Sequence, residues 1–281
     1  MSRKTKLWLL AATLLILLGL AIFAGAMSAL NWDFAKLSTD SYDTKVYIIT
    51  EDFTNISISD TTANISFVPL VDGDAIVTLR EETTGEHTVT VTNGTLLIEN
   101  VTEKKWYQHI GIHFETPTIT IAIPQKQYSA LSVKVTTGNI TVEDISLETL
   151  SLSITTGSIT LSNVTCRGEA DLHVSTGKVN LSDLACRDLI SDGVTGDIRL
   201  ENVIAESMIS IERTTGDVFF DRCDAGDLLI KTNTGSVSGS LLTGKIFITT
   251  SATGNIEIPQ SIPNGICNIT TTTGDIRITI E

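Results

Sequence analysis

Aromatic residues are scarce in this 281-residue chain: Phe, Trp and Tyr together make up 5% of it, so any core must be filled by Val, Ile and Leu. Basic residues are also few. Nineteen Lys and Arg face 33 Asp and Glu, and Arg3, Lys4 and Lys6 precede every acidic residue, leaving 16 against 33 in the remainder. Such a chain offers no basic face to nucleic-acid phosphates or anionic headgroups. Charged residues amount to only 19% against 42% hydrophobic, which excludes a highly charged disordered chain. Helical periodicity is missing beyond residue 30, and so is a second apolar run long enough to span a membrane.

One such run is present. Leu7 to Ala26 is twenty residues without a charge, enough at 1.5 Å per residue to cross about 30 Å of hydrocarbon. Basic residues before it and an acidic chain after it predict a cytoplasmic N-terminus and an extracellular C-terminal domain at the cell membrane, in a single pass. Ala24-Gly25-Ala26 also fits a signal-peptide cleavage site, so a removable signal is the alternative.

Beyond the anchor the chain is repetitive. Glycine preceded mostly by Thr recurs at 138, 157, 177, 196, 216, 235, 254 and 274, always 19 or 20 residues apart. Two residues after each glycine stands an apolar residue (Ile140, Ile159, Val179, Ile198, Val218, Val237, Ile256, Ile276), and seven before it stands another (Leu131, Leu150, Ala170, Leu189, Ile209, Leu228, Phe247, Cys267). Positions four after and five before are mostly apolar, with polar residues between. Alternation of period two on both sides of a turn means strand, turn, strand. A unit this short, lacking any helix, predicts one coil of a parallel β-solenoid (β-helix) in an all-β fold, each coil stacked on the one before it in sequence. Thr-Thr-Gly is then architecture. It lacks the lysine and the helix of a phosphate loop.

Thr61 to Phe67 is a degenerate copy of Thr136 to Val142, and Val89 to Ile98 around Asn93-Gly94 reads as a hairpin. The chain accordingly divides into a cytoplasmic tail over 1–6, a transmembrane anchor over 7–27, a linker over 28–42, N-terminal capping coils over 43–130 and regular coils over 131–281.

The apolar segment followed by Asn31-Trp32-Asp33-Phe34, the Trp106 to Ile112 stretch, the Ile119 to Pro124 strand and the Thr-Gly-(Asn/Ser/Asp)-Ile repeats resemble the bacterial putative-adhesin β-strand-repeat family, a domain of unknown function. The resemblance implies an adhesin-like module, in a family linked with envelope stress responses. It brings no catalytic motif.

Candidate chemistry is thin. His109 and His113 lie in an extended stretch, about 13 Å apart on one face, too far to share a metal. His87 and His173 have no Cys, His or carboxylate cluster beside them in sequence, and the calcium-binding nonapeptide of other solenoids is absent. Asp197, Asp217 and Asp275 follow glycines in a column shared with Asn139, Ser158, Lys178, Ser236 and Asn255, which reads as a solvated corner. There is no Gly-x-Ser-x-Gly elbow and no zinc-protease motif. No catalytic, cofactor or metal site is expected, and the eight Asn-x-Ser/Thr triplets largely restate the repeat.

The expectation is therefore a non-enzymatic binding or structural module at the cell envelope, held by its N-terminal helix and meeting envelope polymers or another envelope protein. A regulatory or sensor component of an envelope stress system is the first alternative, and a polysaccharide-acting β-helix enzyme the second. Cys166 and Cys186 both fall nine residues after a glycine, where stacked coils bring their Cα atoms about 5 Å apart. Cys223 and Cys267 occupy different columns, three coils apart in sequence. Side-by-side Cβ vectors favour four buried free thiols over a Cys166–Cys186 bridge.

Overall fold

The computed structural model describes residues 2–32, 41–83, 85–101 and 115–281, and these fall into a helical unit and a β unit. In the first, helix α1 spans Arg3–Ala29. It begins upstream of the apolar run because the Ser2 hydroxyl caps it, accepting the Thr5 N–H at 3.2 Å. The helix is long and apolar enough to cross a membrane, the property of an anchor or of a signal sequence. Apart from the buried Met27, its apolar side chains are exposed, Leu7 (69%), Leu14 (61%) and Ile22 (64%) among them.

The β unit, Tyr42–Thr102 with Thr116–Glu281, is the solenoid. Its first strands are β1 (Tyr42–Ile49), β2 (Asn55–Thr62), β3 (Asn64–Leu70), β4 (Ala75–Glu82), β5 (His87–Thr92), β6 (Thr95–Asn100), β7 (Thr118–Pro124) and β8 (Gln127–Thr137). The central coils are β9 (Ile140–Thr156), β10 (Ile159–Thr176), β11 (Val179–Thr195), β12 (Ile198–Thr215) and β13 (Val218–Thr234). The last strands are β14 (Val237–Leu241), β15 (Ile246–Thr253), β16 (Ile256–Glu257), β17 (Ile266–Thr273) and β18 (Ile276–Ile280).

Each central strand runs through a whole coil, bending twice between glycines, and pairs in parallel with the next in the register the columns require: Ile159 with Ile140 and Val179, Cys166 with Cys186, Thr176 with Thr195. The first corner is the glycine, whose φ lies between +134° and +158° throughout the repeat. Six residues later comes a second corner that the repeat pattern did not disclose. There Asp144, Asn163, Asp183, Asn202 and Arg222 all take left-handed backbone angles with φ of 49° to 55°. This residue shifts the alternation, so that burial resumes seven and nine residues after the glycine, at Val164 and Cys166 for example. At the third corner the ladder slips between Cys166 and Glu169 and between Ala205 and Met208. The difference between 19- and 20-residue coils is absorbed at this corner, leaving the sides in register.

Coil order departs from sequence order at both ends. β17 pairs with β13 on one side and β15 on the other, and β18 lies between β14 and β16. The last coil in sequence is thus wedged inside the one before it. Cys267 consequently stacks directly on Leu228, one coil away rather than the two that sequence order implies. The reason is burial: the inner coil contributes Cys267, Ile269, Ile276 and Ile278, all 3% exposed or less, whereas the outer one offers Thr249 and is followed by Pro259, which a strand edge tolerates. At the other end β2 lies between β6 and β8, and β3 between β7 and β9. The degenerate copy Thr61 to Phe67 fits that slot in the expected register, Phe67 against Val142. Antiparallel strands close this end: β4 covers β7, β1 covers β4, and β5 covers β6 through the Asn93-Gly94 turn.

Candidate functional site

The outer surface of the solenoid is an array of columns, one residue per coil. The most regular is the threonine that precedes each glycine corner. Thr62, Thr137, Thr156, Thr176, Thr195, Thr215, Thr234, Thr273 and Thr253 follow one another in register along the solenoid, and all nine are exposed. At the spacing of parallel strands this row is roughly 38 Å long. Beside it, Thr136, Thr155, Thr214 and Asn233 are also exposed. The result is a flat, uncharged, hydroxyl-bearing edge on an otherwise acidic molecule.

The adjoining column, one residue after glycine, is structural rather than merely solvated. The corner leaves a backbone N–H outside the strand ladder, and the equivalent side chain in the neighbouring coil accepts it. Asn139 Oδ1 takes the Ser158 N–H at 3.0 Å, Asp197 Oδ1 that of Asp217 at 3.2 Å, Asp217 Oδ1 that of Ser236 at 2.7 Å, and Asp275 Oδ1 that of Asn255 at 2.8 Å. Short acceptors are what the column needs. At the second corner Asp and Asn alternate, the Asn163 amide donating to Asp144 and the Asn202 amide to Asp183 at 2.5 Å.

Among the described residues, buried charged side chains form three sites. In the N-terminal strands His87 on β5 lies between Asp60 on β2 and Glu81 on β4; Nε2 is 2.8 Å from Asp60 Oδ2 and Nδ1 contacts Glu81. Lys45 Nζ reaches Glu81 Oε1 at 2.6 Å, and the Asn100 amide donates to Asp60 Oδ1 at 3.1 Å. Burial opposes ionisation of Asp60, but His87, Asn100 and the Thr62 N–H outweigh it and hold the carboxyl below its usual range. Burial likewise works against the His87 imidazolium, but the two carboxylates prevail and raise its pKa. Sequence gave no hint of this cluster because its members lie in the irregular strands, 27 residues apart in the case of His87 and Asp60.

The second site is Arg213, 2% exposed at an inward position where earlier coils carry Val135, Ile154 and Val174. Gly193 makes room for it, since a Cβ there would come within 2.7 Å of Nη1. The guanidinium donates to Glu212 O and Ser191 Oγ, each at 3.1 Å, and burial lowers its pKa to about 10. The third is Lys245, 3% exposed, whose Nζ donates to Ala225 O at 2.6 Å and pairs with Asp224 at 2.9 Å. It borders a cavity of about 540 Å³ with Ser207, Asp227 and Asn264. This cation is already committed to protein partners.

One arrangement on the surface has the order of a nucleophile, a base and an orienting acid. His173 Nε2 is 3.2 Å from Ser175 Oγ, and Nδ1 is 2.7 Å from Asp192 Oδ2. His173 and Asp192 side chains are 43% and 49% exposed, so water screens the pair. The parallel ladder holds this stretch of β10 in register between β9 and β11 on either side. Backbone N–H groups there are engaged in the sheet, where an oxyanion would need them aimed outward. His109 and His113 lie outside the described residues. All four cysteines are buried and free, with burial raising the Cys186 and Cys267 thiols to about 12 and Cys223 to about 11.

The family model of the Toastrack domain, DUF4097, matches residues 53–280. The chain belongs to this family. The matched span starts at Phe53, just before β2, and reaches Ile280, so it takes in β2 to β18 and leaves β1 outside. No curated protein matches the chain. Among solved structures it is similar to a putative adhesin from Bacteroides fragilis, at 18% identity and a TM-score of 0.41 over 85% of this chain and 97% of that one. It is also similar to a putative cell adhesion protein from Clostridium sporogenes (10% identity, TM-score 0.34, 86% and 100% covered). A third is a putative lipid binding protein from Parabacteroides distasonis (11% identity, TM-score 0.27, 86% and 98% covered).

Proposed function

We propose that this Toastrack chain is an adhesin-like binding module, held at the cell membrane by α1 with its solenoid outside the cell, and that it is not an enzyme. The observation that carries the reading is the threonine row. Nine hydroxyls repeating at one strand spacing match a ligand that is itself periodic, and uncharged polar side chains suit an envelope glycan better than a charged one. The charge asymmetry around α1 supports the orientation. The half-buried, water-screened Ser175, His173 and Asp192, in a stretch whose backbone is engaged in the sheet, favour adhesion over turnover.

The test uses the full chain in lipid nanodiscs, mixed with insoluble wall polymers from the source cell. Retention on the polymer is expected, and replacing Thr156, Thr176 and Thr195 together by Ala should weaken it by about tenfold or more, the equivalent of three modest contacts. Undiminished retention by the triple variant would remove the threonine row from the account. Soluble fragments released from the polymer would replace a binding module by an enzyme. Protease added to intact protoplasts should remove the solenoid and leave α1 in the membrane.

A further inference from the structure

The two ends of the solenoid are finished differently. At the N-terminal end β1, β4 and β5 lie antiparallel across the outer strands, the usual protection of an open sheet edge. At the C-terminal end β15 pairs only with β17, and β16 only with β18, among the described residues; the outer edge of β15 is overlaid at its start, where Ser261 Oγ accepts the Phe247 N–H at 3.1 Å and the Ile262 N–H donates to Lys245 O at 3.0 Å, and β15 carries no further strand beyond that point. Inward positions that are essentially closed elsewhere are open here. Ile256 is 41% and Ile258 38% exposed, whereas their equivalents Ile276 and Ile278 one coil inward are 0% and 3%. Ile262, after β16, is 53% exposed, and Ile246 (42%) and Ile248 (50%) add apolar surface at the outward positions of β15, in register with Ile266 and Asn268 rather than with the core columns. This is the cut end of the core, and it has little charge: from Ile246 to Ile258 the only ionic residue is Glu257, which Arg277 holds at 2.8 Å. The chain as a whole carries −14.

We propose that the same end of a second copy covers this surface, two chains meeting tail to tail about a two-fold axis with β15 antiparallel to its counterpart. The occupant has to present an unpaired coil edge with matching side spacing, and it must be nearly uncharged where it docks. The chain's own end meets both conditions. A two-fold contact is self-complementary, so each exposed isoleucine meets an equivalent surface. The opposite end of another copy presents an antiparallel ribbon in place of a matching coil edge, so like ends pair and the assembly closes at two.

Light scattering on the full chain in detergent should give a dimer at about 100 µM, well above a micromolar dissociation constant. Ile256→Lys combined with Ile258→Lys should return it to monomer, and the thermal melt at a sub-micromolar concentration, where the wild type is monomeric too, should be unchanged because both side chains are already part-exposed. Thr250→Cys, at the middle of β15, should form an intermolecular disulfide on mild oxidation, while Ser153→Cys in a central coil should not. A wild-type monomer at that concentration would overturn the proposal. So would a dimer that persists in the double lysine variant, which would put the contact in α1 or on a side face. The cysteine variants give an answer independent of whether the lysine variant folds.

Discussion

Replacing Gly177 by Ala tests the stacking of the corners directly, with Gly94→Ala as a control in the same protein. Both glycines have positive φ, +145° and +72°, so both substitutions meet backbone strain of roughly 1–2 kcal/mol, reduced by about 0.4–1 kcal/mol because alanine restricts the unfolded chain. Their surroundings differ. A Cβ at Gly94 finds nothing within 4 Å, whereas at Gly177 it falls 1.7 Å from the carbonyl oxygen of Gly157 in the next coil. Ordinary contact requires the coils to part by about 1.5 Å at that corner. The bonds from Gly157 N–H to Thr176 O (2.9 Å) and from Ile159 N–H to Lys178 O (3.0 Å) then fail. Two backbone bonds at about 1 kcal/mol each, the strain and the loosened packing bring the expected loss to about 4 kcal/mol, against about 1 for Gly94→Ala. In a domain of this size that means a fall in Tm of roughly 8–16 °C against 2–4 °C. Thermal melts of the full chain in detergent, followed by circular dichroism at the β minimum, read both values. Equal shifts, or a larger one for Gly94→Ala, would refute the account of why glycine recurs.

Truncating Ile198 to Ala should cost about 2–5 kcal/mol, whereas Asp197→Ala, which removes one acceptor at an exposed corner, should cost about 1 kcal/mol or less; chemical denaturation of the two variants separates them. Thiol titration should find no reactive cysteine in the native protein and four after denaturation without reductant, and two would reveal a bridge between Cys166 and Cys186. The Asp60–His87–Glu81 cluster gives a pH signature. His87 has a raised folded pKa, so its contribution is complete below the unfolded value of about 6.5 and is lost as pH rises through the folded one; Asp60, with a lowered pKa, contributes above about 3.9 and loses its effect as pH falls. The stability gap between wild type and His87→Gln should therefore be widest between about pH 4 and 6.5 and narrow above that range. A gap that widened with rising pH would contradict the ionic assignment.

The coil and its main corner were legible because glycine and two apolar columns repeat at a nearly fixed interval, and Asn93-Gly94 marked its hairpin in the same local way. The second corner was harder to see. Asp144, Asn163, Asp183 and Asn202 vary in identity, and Arg222 ends the series, although one acceptor or donor at the left-handed position six residues after each glycine was a readable pattern in hindsight. Coil order at the ends was not readable, since every coil carries the same columns and will stack in register on any other. Only the summed burial of Ile269, Ile276 and Ile278 against Thr249 decides which lies inside. The corner role of Asp197 and Asp217 was likewise hidden, because it depends on an N–H that exists as a vacancy only once the turn is formed.

The wedged last coil also bears on the order of assembly. A solenoid made amino end first can add coils as they emerge, each on a finished surface, as far as β14. The following segment, β15 and β16, arrives before the strands it is to rest on and has no partner until residues 266–280 enter beneath it. Growth at this end is therefore not incremental: two coils settle together, and only after β18 is available. Strands β17 and β18 act as a completion mark, so a chain lacking them would leave β15 and β16 without a place.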